Sequence, residues 1–408
     1  MRDRYYNEVI PSNVPLALVY DLDVYDPLAD EDGDSDLYVV YHELHQRNLP
    51  SVFWTRYNGG HWVARTARAN SDVLADPAGF SSKRPLVPDD HNFKTPFFVP
   101  LMADPPDHAG YRAIVQPLLS PKRISEIESK ITAFVVELIE GFRERGECEY
   151  MAEFALQMPI AIFLQLLDLP LSDREKLLDA ALRVIRPPDG QQPGDALQEI
   201  FAYLQPILAE RYGVEKEDIV SKLVNGRHQG RLLSSEEQLG LTATVLIGGM
   251  DTVAATLGFV AQYLAEHPKV RSSLAESPDK TKAIDEFFRR FSVVTVGRHA
   301  TKNMNFHGAP LQAGDHIITV GALHNLDDHE FPDPLAVDFE RRQGKHATFG
   351  SGIHFCLGAF LARLELRIFL DEWLKRIPVF WIKPSSERIY NMGTIKSLKK
   401  LHLTWRNE

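Results

Sequence analysis

The sequence predicts a mainly α-helical protein with a minor β portion. Three observations carry that prediction. Apolar residues recur at spacings near 3.6 through most of the stretch from Ala109 to Phe291. The segment Gln238–Ala265 holds a single charge, Asp251, and is long enough to run through the middle of a large core. Strand-like patterning is confined to short runs, chiefly Val293–Val320 and the C-terminal tail. The 408 residues are 44% hydrophobic and 25% charged, ordinary globular proportions that exclude disordered, collagen-like and disulfide-stapled classes. A chain of this size buries about three quarters of its unfolded surface, enough for an internal pocket. With no repeat and no low-complexity linker, residues 1–408 read as one domain.

The acidic balance, 45 Lys and Arg against 56 Asp and Glu for a net charge of −11, argues against a nucleic-acid partner. Two cysteines, Cys148 and Cys356, cannot build a disulfide framework. The amino terminus lacks an apolar signal core, so a cytoplasmic protein is expected. Gln238–Ala265 could span a bilayer by length, but Gly248, Gly249 and Asp251 and the lack of basic anchors favour a buried helix over a membrane partner.

Taken in order, the first hundred residues offer short β-like runs, Leu37–Tyr41 and Gly60–Ala64, among turn residues. Ser81–Pro106, with six prolines, reads as a long irregular loop, and loops of that length are usually functional or disordered. Helices follow at Ile124–Arg145, Glu153–Leu167, Asp173–Ile185, Ala196–Tyr212, Ser235–Glu266 and Lys280–Phe291. Arg186-Pro187-Pro188-Asp189-Gly190 separates two of them, and Gly248-Gly249 is expected to interrupt another. Val293–Val320 turns β-like, with Gly308 and Gly314 at turns. Cys356 then opens a helix to about Arg376, and the tail alternates as short strands.

Three glycines surround Cys356 in Phe349-Gly350-Ser351-Gly352-Ile353-His354-Phe355-Cys356-Leu357-Gly358. A tight loop that aims backbone N–H groups at a sulfur near a helix start stabilises a thiolate. A buried structural cysteine is the bland alternative, and a zinc site with His354 lacks its other ligands. Gly248-Gly249-Met250-Asp251-Thr252 reads two ways. A flat ligand packs on the glycines beside a proton-relaying pair, or the core helix is kinked with a satisfied polar pair. Glu286-x-x-Arg289 is an i,i+3 ion pair, common by itself. His108 and Arg112, at i,i+4 after Asp104-Pro105-Pro106, share a helix face that could grip an acid group or simply be solvated.

Asp251-Thr252, then Glu286-x-x-Arg289, then Phe349-x-x-Gly352-x-x-x-Cys356-x-Gly358 together resemble the cytochrome P450 family of haem-thiolate monooxygenases. Trp54-Thr55-Arg56, Asn58-Gly59-Gly60-His61-Trp62, Asp104-Pro105-Pro106, Gly248-Gly249 and Arg289-Arg290-Phe291-Ser292 resemble its bacterial camphor hydroxylase-like branch. The resemblance covers the whole chain and implies the single-domain cytochrome P450 fold, with haem b between two long helices. It implies Cys356 as axial iron ligand, and His108, Arg112, Arg298 and His354 as partners of the haem propionates. Asp251 and Thr252 would deliver protons during oxygen activation. Glu286 and Arg289, completed by Arg341, would support the cysteine loop. A two-iron, two-sulfur ferredoxin, reduced by an NADH-dependent flavoprotein, would supply electrons for O2 and dock near Arg112.

The sequence departs from its relatives where substrate is expected. The camphor-anchoring tyrosine of the branch falls in Phe93-Lys94-Thr95-Pro96-Phe97-Phe98, where Thr95 or Pro96 takes its place. Lys83 stands near a glutamate of the branch's potassium site, Val296 replaces an aspartate, and Thr244 replaces a leucine. Leu86, Phe97, Phe98, Ile247, Val294 and Ile395 complete an apolar set. The expectation is hydroxylation of a small terpenoid, a monoterpenoid such as 1,8-cineole or a norisoprenoid such as ionone. Camphor hydroxylation proper, a peroxide-driven haem enzyme and a non-catalytic haem-thiolate sensor are the alternatives.

Overall fold

Capping and helical periodicity place the helices in a computed structural model, which describes residues 6–29, 36–85, 98–185, 193–214, 216, 218–342, 344–384 and 386–405. The helices are α1 Leu37–Gln46, α2 Ala67–Ala75, α3 Asp107–Val115, α4 Pro121–Arg143, α5 Gln157–Leu166, α6 Arg174–Ile185 and α7 Pro193–Arg211. They continue with α8 Ile219–Val224, α9 Ser235–Glu266, α10 Pro268–Glu276, α11 Thr281–Arg290, α12 Gly321–Asn325 and α13 Ala359–Arg376. The strands are β1 Val52–Thr55, β2 His61–Ala64, β3 Phe80–Ser81, β4 Glu147–Glu149, β5 Arg227–His228, β6 Arg231–Leu232 and β7 Thr295–Ala300. After these come β8 Met304–Phe306, β9 Ala309–Leu311, β10 His316–Val320, β11 Trp381–Ile382, β12 Tyr390–Asn391, β13 Ser397–Leu398 and β14 His402–Thr404. The chain divides into two compact units. One comprises 1–92, 281–356 and 390–396; the other 93–280, 357–389 and 397–408.

The first unit is built on a five-stranded sheet of order β1-β2-β10-β7-β3. β2 and β10 run parallel, with Val63 opposite Ile318, while β7 lies antiparallel to β10 with Val296 opposite Thr319. Buried Val52, Trp54, Trp62, Phe80 and Ile317 form its core cluster. The turn between β1 and β2 passes through Gly60 at φ +85°, where a Cβ would lie 2.5 Å from the Trp54 ring. Gly308 and Gly314, with φ of +87° and +93°, occupy the turns expected of them.

The second unit is helical around α9, which packs against α5, α6, α7, α8, α10 and α13. A small sheet, β11-β14-β4, borders it. Among the described residues α9 is the helix with the length and apolarity of a membrane span, yet 67% of that apolar window is buried inside the structure. Its start is fixed by a capping box: the Ser234 hydroxyl accepts from the Glu237 amide, and the Glu237 carboxylate accepts from the Ser234 amide. That carboxylate also accepts from Tyr111 at 2.5 Å and from both terminal nitrogens of Arg231 at 2.7 Å.

Several sequence expectations need correction. Leu37–Tyr41 is helical, because Asp36 caps the Tyr38 amide and the apolar run then faces inward from α1. Gly248-Gly249 does not interrupt α9, whose packing on both sides outweighs the propensity cost of two glycines. Cys356 does not open the last helix; α13 begins at Ala359. The helix expected over Glu153–Leu167 is a π-helical turn at Met151–Ala155 followed by α5. The expected break at Arg186–Gly190 lies outside the described residues, as do residues 86–97 of the Pro-rich loop.

The Glu237 cluster gives a stability prediction. Arg231 first, with Tyr111 and the Ser234 amide adding, outweighs burial and holds the Glu237 carboxyl at about 2 against an ordinary 4.5. Its contribution is complete above pH 4.5 and is lost as pH falls towards 2. Urea unfolding should find Glu237→Ala less stable by about 2 kcal/mol at neutral pH. Glu237→Gln should flatten the acid limb of the stability profile between those pH values.

Candidate active site

Cys356 ends a loop whose shape comes from its glycines. Gly350 and Gly352 both hold φ of +68°, a left-handed conformation that non-glycine residues adopt only with strain. A Cβ on Gly352 would come within 2.6 Å of the Leu74 carbonyl oxygen, so the loop also needs glycine to lie against the end of α2. The Cys356 amide donates to the Phe349 carbonyl at 2.8 Å and the Phe355 amide to Gly352 at 3.2 Å. The loop closes on itself and presents the Cys356 side chain exposed. Phe349 anchors its base against the Phe288 ring, 4.8 Å between centroids.

Beneath this loop lies a buried ion cluster. Glu286, 2% exposed, receives Arg289 Nε and Nη2 at 2.8 Å each, Arg341 Nε at 3.1 Å and the Asp338 amide at 3.0 Å. Arg289 Nη1 donates on to the carbonyls of Asn325 and Pro334, and its Nη2 to that of Ala336. Asn325 then accepts from the Ala347 amide and donates to Thr348, whose hydroxyl donates to the Phe288 carbonyl. The three residues singled out from sequence are therefore one cluster. Asn325 and Thr348, which sequence reasoning missed, continue it towards Phe349.

Arg298 and His354 belong to the same unit. Arg298 is buried on β7, and the His354 Nε2 lies 3.0 Å from Ser82 Oγ. Ser82 follows Ser81, which pairs with His299, the neighbour of Arg298. Val294 and Ile395 face each other as an antiparallel bridge and are half-buried, as is Val296.

The second unit holds the other candidates. His108 and Arg112 share α3, His108 buried and Arg112 half-buried; burial first, then the Arg112 guanidinium, lowers the His108 pKa. Asp251 is fully buried on α9 and Thr252 is half-buried beside it. The Thr252 hydroxyl donates to the Gly248 carbonyl at 3.0 Å, and that of Thr244 to Gly240 at 2.7 Å. Thr244, Ile247, Gly248, Gly249 and Thr252 make an accessible stripe on an otherwise buried helix, and a Cβ on either glycine would meet nothing within 4 Å. Phe98 is half-buried. Leu86, Thr95, Pro96 and Phe97 lie outside the described residues.

Comparison with known proteins concerns the chain as a whole. The family model described as Cytochrome P450 matches residues 175–399. A probable cytochrome P450 127A1 of Sinorhizobium fredii is 33% identical over 99% of both chains. The vitamin D(3) 25-hydroxylase of Pseudonocardia autotrophica is 28% identical over 85% of this chain and 88% of that one. The crystal structures of CYP101J2 and CYP101C1 each superpose with a TM-score of 0.90, at 35% and 32% identity, covering 98% of this chain and 100% of theirs.

The ion cluster yields a prediction of its own. Arg289→Leu leaves the buried Glu286 carboxylate with Arg341 as its one guanidinium partner and takes the arginine donor from the Asn325 and Pro334 carbonyls, so denaturant unfolding should show a loss of about 3–5 kcal/mol. Replacing Glu286 and Arg289 together by apolar residues should cost less than the arginine substitution alone.

Proposed function

The chain belongs to the cytochrome P450 family, which holds haem b by a cysteine thiolate and couples O2 to electrons from a redox partner, and from that membership we propose that it hydroxylates an unactivated C–H bond of a small terpenoid. Its residues fit the haem. The Phe349–Cys356 loop ends in an exposed thiol, and the open stripe over Gly248 and Gly249 leaves room for a flat ring. When bound, the haem supplies the oxygen activation that C–H hydroxylation requires.

Cys356 is the residue that would hold the haem iron through its thiolate. Arg298, His354, His108 and Arg112 are the proposed propionate partners. Thr252 Oγ1 has its proton committed to the Gly248 carbonyl and so presents lone pairs, which suits it to accept and orient a proton-bearing group. Asp251, the buried carboxyl next to it, is the group proposed to exchange that proton with solvent.

The state of Thr244 carries the substrate reading. Its hydroxyl proton is likewise spent on a helix carbonyl. Phe98, Ile247, Val294, Val296 and Ile395 are apolar, so among the described pocket candidates none offers an uncommitted donor to a ketone. A compact ether such as 1,8-cineole needs none, while ionone, itself a ketone, would be held by its hydrocarbon skeleton alone. A two-iron, two-sulfur ferredoxin docking near Arg112, its NADH-dependent flavoprotein reductase and a cytoplasmic location complete the proposal.

Optical titration of the ferric protein with camphor, 1,8-cineole and β-ionone tests it. A saturable low- to high-spin shift with cineole or ionone, and little with camphor, is the expected result. A dominant camphor shift giving a single hydroxylated product would overturn the terpenoid assignment. Thr252→Ala should keep consuming NADH while product per NADH falls and hydrogen peroxide accumulates. An unchanged product yield would remove Thr252 from the proton path.

A further inference from the structure

Lys396 is among the largest fully buried side chains of the protein, 2% exposed. Its Nζ donates to Thr295 Oγ1 and stands 5.4 Å and 5.8 Å from the ring centroids of Tyr25 and Tyr41. Burial lowers its pKa from 10.5 to about 7, against a weaker opposing pull from Asp23. An amine in such a place is costly, and a methionine or leucine would fill the volume without that cost. Its location supplies a reason for keeping it.

Residues 394–396 lie antiparallel to residues 293–295. The Thr295 amide donates to the Thr394 carbonyl at 2.8 Å and the Lys396 amide to the Val293 carbonyl at 3.0 Å. Val294 and Ile395 sit opposite each other between these two bonds. Side chains alternate along extended backbone, so Thr295 and Lys396 project from the other face of the ribbon, away from the Val294–Ile395 pair. Two backbone bonds are a short ribbon, and short ribbons hold their register weakly without help from side chains. The bond from Lys396 to Thr295 crosses the ribbon on its hidden face, and the two tyrosine rings hold the amine in place.

We propose that Lys396 is a positioning residue for substrate: by tying Thr295 to the Tyr25 and Tyr41 rings, it fixes the register at which Val294 meets Ile395. Substrate fit and regioselectivity then depend on a residue that substrate never touches. This rests on the reading above that Val294 and Ile395 face the substrate.

The test uses the holoenzyme with camphor, 1,8-cineole and β-ionone as probes. Lys396→Met keeps length and apolar volume and removes the donor; Thr295→Val removes the acceptor, and Thr295→Ser restores it. Lys396→Met and Thr295→Val should each weaken the spin-shift titration about tenfold and spread the products over more carbons. Thr295→Ser should return both readouts towards the unsubstituted enzyme, and the double variant should be no worse than either single one. A general packing role would instead lower thermal stability without separating Thr295→Ser from Thr295→Val in product pattern. Should Lys396→Met fail to fold, the two Thr295 variants decide. If Lys396→Met and Thr295→Val leave affinity and product ratio unchanged while Val294→Phe alters them, the inference falls and the pocket reading stands. If Val294→Phe alters nothing either, or no probe shifts the spectrum, both fall.

Discussion

The cysteine loop rests on one buried carboxylate. Glu286 gathers two guanidinium groups, and Arg289 and Arg341 gather the carbonyls of Asn325, Pro332, Pro334 and Ala336. These carbonyls lie at the last residue of α12 and in the stretch between it and the cysteine loop, which has almost no secondary structure to satisfy them. Backbone oxygens without a ladder need another partner when buried, and arginine, with five donors in a fixed fork, can serve several at once. Without the negative charge of Glu286 two guanidinium groups would repel at that spacing. The ion pair therefore acts less as a source of stability than as the way an irregular segment leading to Cys356 acquires one conformation.

α9 poses the complementary problem. A helix buried on nearly every side should be apolar and propensity-rich, yet it carries four glycines, four threonines and an aspartate. Thr242, Thr244, Thr252 and Thr256 each donate to the carbonyl four residues back, so none brings an unmet hydroxyl proton into the core. The capping box and the contacts of Arg231 and Tyr111 with Glu237 fix the first turn, and packing against the surrounding helices keeps the rest continuous through Gly248-Gly249. Stability supplied at the end and flanks allows a bare stripe in the middle, which a helix relying on its own propensity would not keep.

Legibility in the sequence followed this division. The cysteine loop was readable because its glycines answer to backbone geometry: Gly350 and Gly352 need left-handed angles, and Gly352 also needs the close approach to Leu74. The long helices were readable from period alone. α1 was not, because Leu-Tyr-Val-Val-Tyr has the residues of a strand and only the Asp36 cap and tertiary packing decide otherwise. The Ser234-x-x-Glu237 box is a readable signal of a helix start. Asn325 and Thr348 carried none, since a lone Asn and Thr in loops resemble any other. Lys396 was the least legible, because a lysine is read as surface by default and only the fold surrounds it with Tyr25, Tyr41 and Thr295.

The same logic explains why substrate choice is harder to read than chemistry. Chemistry depends on groups whose types are fixed by what they must do, a thiolate or a proton carrier, and those announce themselves. Substrate choice depends on the absence of groups and on the commitment of those that remain. Thr244 reads from sequence as an added hydroxyl; in the structure its proton belongs to the Gly240 carbonyl, and it counts as an acceptor with a methyl group. Val294 and Ile395 read as generic apolar residues, while their spacing is set from behind by a buried amine. A pocket's selectivity is thus written largely in residues that line it with nothing, or that do not line it at all. The hydrogen-bond state of each hydroxyl is therefore better evidence about the ligand than the composition of the pocket wall.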